Sequence, residues 1–250
     1  MSLSISSCEI KRMTKSKITV CTEKYELFSV ENRDEAFEIL KKELSYKSIF
    51  LMPGDSSDFK LLAYDLNKEE LSEYYTSALC AAAFLINKRG LPFSEVDFET
   101  PEGKIEIFYT DADKFSVKIT KCKQLLSYST EIFGCEIKYR DLLVKKKFRA
   151  IHTDDILLIS DDILKSLVLV DDSLPCGVLA SASQNGELAV RYYSDFISES
   201  VSPLLLYSAA AFNERIISGG SALNFVAEKE RIFILAEPFS VTVAVQPEFI

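Results

Sequence analysis

A chain of 250 residues, 48% hydrophobic and 27% charged, has the composition of a globular protein, long enough for one large domain or two ordinary ones. Its net charge of −9 argues against nucleic acid or an anionic membrane as partner, since both are gripped by clustered Lys and Arg. No apolar stretch approaches the ~20 residues of a membrane span, and no apolar signal region opens the chain, so a cytoplasmic protein is expected. The one basic run, Lys145-Lys146-Lys147, is read as a solvated turn.

Cysteine and histidine usage narrows the chemistry. Cys8, Cys21, Cys80, Cys122, Cys135 and Cys176 form no Cys-x-x-Cys pair, so reduced, mostly buried thiols are expected. His152 is the only histidine, which rules out a two-histidine metal site. The run His152-Thr153-Asp154-Asp155 is read as a turn at a strand. With 8 glycines and no phosphate-cradling loop, neither a metal nor a cofactor is expected.

In chain order, the first element is a surface helix over 34–44, capped by Asp34, with Phe37, Leu40 and Leu44 on its apolar face. Strands follow at 49–52 and 59–64. An irregular loop, Glu70 to Thr76, leads into an Ala-rich helix over 77–87 that is small or apolar on every face and is expected to be buried all round. After Gly103 come strands at 104–107 and 115–119. The same succession then recurs, at one constant spacing as far as the second apolar helix and a few residues shorter after it. A short helix at 161–165 precedes strands at 177–180 and 187–192, the loop Ser198 to Pro203, and an apolar helix at 204–212. Gly219-Gly220 and strands at 222–225 and 239–243 complete the copy.

This duplication predicts an α+β fold of two pseudo-symmetric lobes, each a curved, mostly antiparallel sheet around a buried Ala-rich helix, with a cleft between them. The N-terminal lobe is placed at 1–122, completed by a strand in 241–250, and the C-terminal lobe at 123–240. Loops 70–76 and 198–203 would face each other across the cleft. Opposed helix N-termini there would suit a carboxylate or phosphate.

The chain resembles the diaminopimelate epimerase family, which shares its fold with the proline racemases and phenazine-biosynthesis isomerases. That family opens its first buried helix with Cys-Gly-Asn-Gly-x-Arg-Cys; here the run is Glu73-Tyr74-Tyr75-Thr76-Ser77-Ala78-Leu79-Cys80. Gly90-Leu91, Thr100-Pro101-Glu102-Gly103 and Gly219-Gly220-Ser221-Ala222-Leu223 match further family signatures. The resemblance implies isomerase chemistry without a cofactor, in which two opposed cysteines invert a carbon beside a carboxylate. On this chain the two cysteine positions fall on Tyr74 and Ser202. The substrate-gripping Gly-Asn reads as Tyr75-Thr76, the helix-opening Arg as Leu79, and the second Gly-x-Gly as Pro203-Leu204-Leu205.

Three readings follow. The first is a divergent member without two-thiol catalysis, binding a small molecule or a protein partner in the interlobe cleft. The second is a racemase or epimerase with non-cysteine acid/base groups, independent of pyridoxal phosphate, for which Glu73, Tyr74, Glu199 and Ser202 are the candidates. The third is a homo-oligomeric structural protein, and a homodimer fits each of the three. Ligand contacts are expected from Tyr74, Tyr75, Thr76, Ser77, Arg191, Ser202, Pro203 and Leu204, with Arg191 either anchoring an anion or held in a surface ion pair.

Overall fold

The computed structural model describes residues 15–20, 23–55, 57–110, 114–170, 175–193, 201–228 and 231–249. It is a mixed, sheet-dominated α+β fold. The chain divides into two compact units, Met1–Val117 with Val245–Ile250, and Lys118–Ala244.

The first unit contains β1 (Lys15–Val20), β2 (Glu23–Ser29), β3 (Lys47–Pro53), β4 (Phe59–Tyr64), β5 (Glu95–Thr100), β6 (Gly103–Thr110) and the start of β7 (Lys114–Thr120). These neighbour one another in chain order, with the short strand Glu248–Phe249 added beside β1. Pairing is antiparallel except for β2 with β3 and β4 with β5. A parallel pair needs a long crossover, and each of these contains a helix, α1 (Arg33–Leu40) and α2 (Tyr75–Ala83) respectively.

Helix α1 starts differently from the sequence expectation. Its cap is Asn32, whose Oδ1 accepts from the Glu35 N–H at 3.0 Å, while Glu35 reaches back to accept from the Glu31 N–H at 2.8 Å. This reciprocal arrangement leaves Asp34 inside the first turn, where its charge still favours the helix dipole. The helix ends at Leu40 and buries Ala36, Ile39 and Leu40, leaving Phe37 exposed. In α2, every residue from Thr76 to Ala83 is buried, and the helix continues through a π turn, Phe84–Lys88. It packs on β1, β2, β3 and β6.

The second unit repeats this connection pattern. β8 (Lys123–Ile132), β9 (Cys135–Val144), β10 (Lys146–His152), β11 (Gly177–Gln184), β12 (Glu187–Tyr193), β13 (Leu223–Ala227), β14 (Ile232–Ala236) and β15 (Ser240–Val245) again neighbour one another in chain order. The parallel pairs β10–β11 and β12–β13 are spanned by α3 (Asp161–Val168) and α4 (Pro203–Ile217). Ser160 caps α3, which presses Leu164, Leu167 and Val168 onto Ile151, Val178 and Ala180. α4 packs on β9 to β14 and buries nine of its residues. Gly177 answers to a side chain in the first copy because the Tyr192 ring lies over it; a Cβ there would stand 2.2 Å from a ring carbon.

One further expectation is corrected. The lysine run is a turn only at Lys145 (φ 59°); Lys146 and Lys147 belong to β10, and Lys147 Nζ lies 3.0 Å from Asp141. Among the described cysteines, Cys80 and Cys122 are buried, Cys176 is half-buried, and Cys135, just after the Phe133-Gly134 turn between β8 and β9, is exposed. Cys8 and Cys21 lie outside the described residues.

The second unit is centred on a buried charge pair. Arg149 is fully buried and bonds both oxygens of Asp141, at 2.9 and 3.2 Å, across the β9–β10 ladder. Its third donor reaches the Leu167 carbonyl in α3 at 2.7 Å, and its guanidinium stacks on Tyr139. Removing one partner leaves the other charge buried without its counter-ion, which costs about 3–5 kcal/mol. Asp141→Ala is therefore expected to lower unfolding free energy by that amount in urea titration, whereas Asp161→Ala, at the exposed Arg191 pair, should cost less than about 1 kcal/mol.

Candidate functional site

The start of α2 is built from the end of β4. Asp65 caps a tight turn by accepting from Glu69 N–H at 2.9 Å, and the Leu71 N–H returns to the Ala63 carbonyl at 2.9 Å. This fold-back drives Tyr74 inward. Its side chain is fully buried and its hydroxyl donates to Glu70 at 2.9 Å. Burial first, then the Glu70 carboxylate, pushes its phenol well above the ordinary tyrosine range. A phenol so placed cannot accept a proton from a substrate near neutral pH.

Glu73, beside it, is also buried, and its carboxylate accepts from the Tyr75 N–H at the helix start. The positive end of α2 therefore holds a carboxylate belonging to the chain itself. Thr76 and Ser77 are buried, and their hydroxyls have no hydrogen-bond partner among the described residues. Tyr75 is half-buried. Tyr25, on β2, has its phenol raised by burial, then by Glu23, Cys80 and Glu73 in turn.

At α4, Ser202 is the N-cap. Its hydroxyl oxygen accepts from the Leu205 N–H at 3.3 Å, and Pro203, which has no N–H to leave unsatisfied, occupies the first turn. Leu204 is buried. Glu199 lies outside the described residues, as does most of the loop before Ser202. Arg191 is committed to Asp161, at 2.9 and 3.0 Å. Of the described thiols, Cys80 is buried within α2, and Cys122 donates to the Ile119 carbonyl while burial pushes its thiol up to about 11.

A cluster that the sequence reading missed lies in the second unit. Glu214, on the latter half of α4, is buried and accepts from Ser181 Oγ at 2.5 Å, Ser183 Oγ at 2.9 Å and the His152 ring at 3.0 Å. Asn213 in turn donates to Ser181 Oγ at 3.0 Å. The only available signal was an acid and an amide continuing a helix that is otherwise apolar on every face. One further acidic group stands out among the described residues, Glu95, Asp97 and Glu106, whose oxygens lie within 4.8 Å of one another. Lys104 lies 2.6 Å from Asp97 and 3.5 Å from Glu106, supplying the counter-charge.

No protein-family model and no curated protein matches the sequence. The fold does have relatives. A phenazine biosynthesis protein of the PhzF family from Enterococcus faecalis superposes with a TM-score of 0.66 at 13% identity, covering 94% of this chain and 95% of that one. A hydroxyproline epimerase from Agrobacterium vitis, with bound trans-4-hydroxy-L-proline, gives 0.61 at 12% identity over 96% and 91%. Methylitaconate-delta-isomerase gives 0.58 at 9% identity over 95% and 93%. The chain has the diaminopimelate epimerase-like fold.

The buried phenols set an alkaline limit to stability. Tyr74 and Tyr25 stay neutral in the folded chain above the pH of ~10 at which they ionise when unfolded, so the stability they confer is complete below that pH. It is lost as pH rises from there toward their raised folded values, each adding a slope of up to about 1.4 kcal/mol per pH unit. Urea midpoints measured from pH 9 upward should fall, and Tyr74→Phe should flatten the decline.

Proposed function

We propose that this chain is a binding protein on an isomerase-type fold, with no proton transfer run from the starts of α2 and α4. Glu73 carries the reading. A two-base epimerase presents free backbone N–H groups to the substrate carboxylate and an ionisable base beside it. Here Glu73 takes an N–H at the start of α2, and the residue at the first cysteine position is a phenol held neutral. At α4, the hydroxyl at the second position is spent as a cap. Each helix start has buried apolar residues, Tyr74 at α2 and Leu204 and Leu205 at α4, and each by itself favours a ligand without free charge, since an unpaired carboxylate would be costly to bury there. The ligand is a neutral small molecule or an apolar segment of a protein partner.

The second reading, an isomerase of small carboxylic acids with non-cysteine groups, draws support from the fold shared with a hydroxyproline epimerase and an isomerase. One measurement separates them. In heavy water, proline, hydroxyproline and other amino acids should show no deuterium incorporation at the α-carbon above the uncatalysed rate. Thermal-shift screening should respond to apolar neutral compounds and not to amino acids. Incorporation that disappears in Glu73→Gln or Tyr74→Phe would transfer the assignment to the isomerase reading.

A further inference from the structure

The geometry points to a binding site for a divalent transition-metal ion in the second unit, with His152 and Asp154 as protein ligands and the buried Glu214 carboxylate fixing the imidazole. The site goes beyond the proposed binding function and lies apart in sequence from the helix starts discussed above. It also departs from the reading of His152-Thr153-Asp154-Asp155 as a turn alone.

The turn does not need the histidine. Asp155 makes it: its carboxylate caps the Leu157 N–H at 2.9 Å, and its backbone exchanges hydrogen bonds with Thr153 Oγ1. His152 faces the other way, into α4. Glu214 can only accept when ionised, and it already takes protons from Ser181 and Ser183. Its contact with Nδ1 at 3.0 Å therefore places the ring proton on Nδ1 and leaves the Nε2 lone pair directed away from the carboxylate. With Asn213 pinning Ser181, the carboxylate has no freedom to turn and neither has the ring.

Nε2 lies 3.7 Å from Asp154 Oδ1, in a ring that is 33% exposed. That separation is too long for a good hydrogen bond. It suits two atoms that share one ion, because bonds of about 2.0–2.2 Å each allow ligand atoms to stand up to about 4 Å apart. Asp154 is fully exposed and can adjust. Imidazole nitrogen with one carboxylate oxygen favours Zn²⁺, Ni²⁺ or Cu²⁺ over Mg²⁺ or Ca²⁺, with water completing the shell. A carboxylate holding the far nitrogen of a metal-binding histidine raises its basicity and fixes its direction.

Because His152 is the only histidine, its imidazole resonances report this site without assignment ambiguity. Titrating the full chain with Zn²⁺, and with Mg²⁺ as control, should move the His152 signals at one Zn²⁺ per site and leave them unmoved by Mg²⁺. The nitrogen shifts of the metal-free chain should show the proton on Nδ1, and Glu214→Gln should abolish that preference. By calorimetry, Asp154→Asn should weaken Zn²⁺ about 10-fold, and His152→Gln should remove this binding event. Asp154 is fully exposed and Gln at position 152 keeps a donor for Glu214, so both variants are expected to fold, which their circular dichroism spectra check. Unmoved His152 signals, or equal Zn²⁺ affinity in His152→Gln, would overturn the proposal and assign any bound ion to surface carboxylates such as Glu95, Asp97 and Glu106.

Discussion

Two largely buried helices govern this molecule. α2 is enclosed from Thr76 to Ala83 and α4 buries nine of its fifteen residues, so polar atoms on their buried faces must find partners within the chain. Glu73 meets an N–H at the start of α2, Ser202 meets one at the start of α4, and Glu214 is met in turn by two serines and a histidine. Tyr74, entering α2, is satisfied by Glu70. At both helix starts, polar side chains of the chain itself serve as structural partners of the backbone.

The same constraint explains what could be read from the sequence. Runs such as Ala81-Ala82-Ala83 and Ala209-Ala210-Ala211 are legible because only small side chains allow a helix to be enclosed, and both lie in buried helices. Strands β3, β4, β11 and β12 are legible because their order and spacing recur in both copies. The cap of α1 is not: Asn32 and Asp34 are both good cap residues, and the choice is made by Glu35 reaching back to Glu31. The β8–β9 hairpin is not legible either. Most of β8 is exposed on both faces, so no alternation marks it.

The site splits along the same line. Residues at the helix starts can be located from the repeat, since their positions are local to an element that composition reveals. Their roles cannot, because the partner of Tyr74 and the orientation of Glu73 depend on how the chain folds back after β4. The His152–Glu214 cluster is less legible still. Its members come from β10, β11 and α4, residues far apart in the chain that meet only because parallel β10–β11 pairing places Ser181 opposite His152. Sequence spacing contains no trace of that register.

Fold and site chemistry make different demands on a sequence. The diaminopimelate epimerase-like fold rests on many apolar positions, so identities of 13% or less still suffice to specify it, because volume and pattern are conserved more easily than particular atoms. Proton transfer rests on a few groups with unsatisfied valence held in the right place. Once Glu73 supplies an anion at α2 and Ser202 a cap at α4, both helix ends gain stability of the order of 1 kcal/mol apiece from a good partner. A substrate carboxylate binding to those N–H groups would have to displace these partners first. Stabilising the helix starts and leaving them open to a substrate carboxylate are competing uses of the same N–H groups, and in this chain the Tyr75 and Leu205 N–H groups bond the side chains of Glu73 and Ser202.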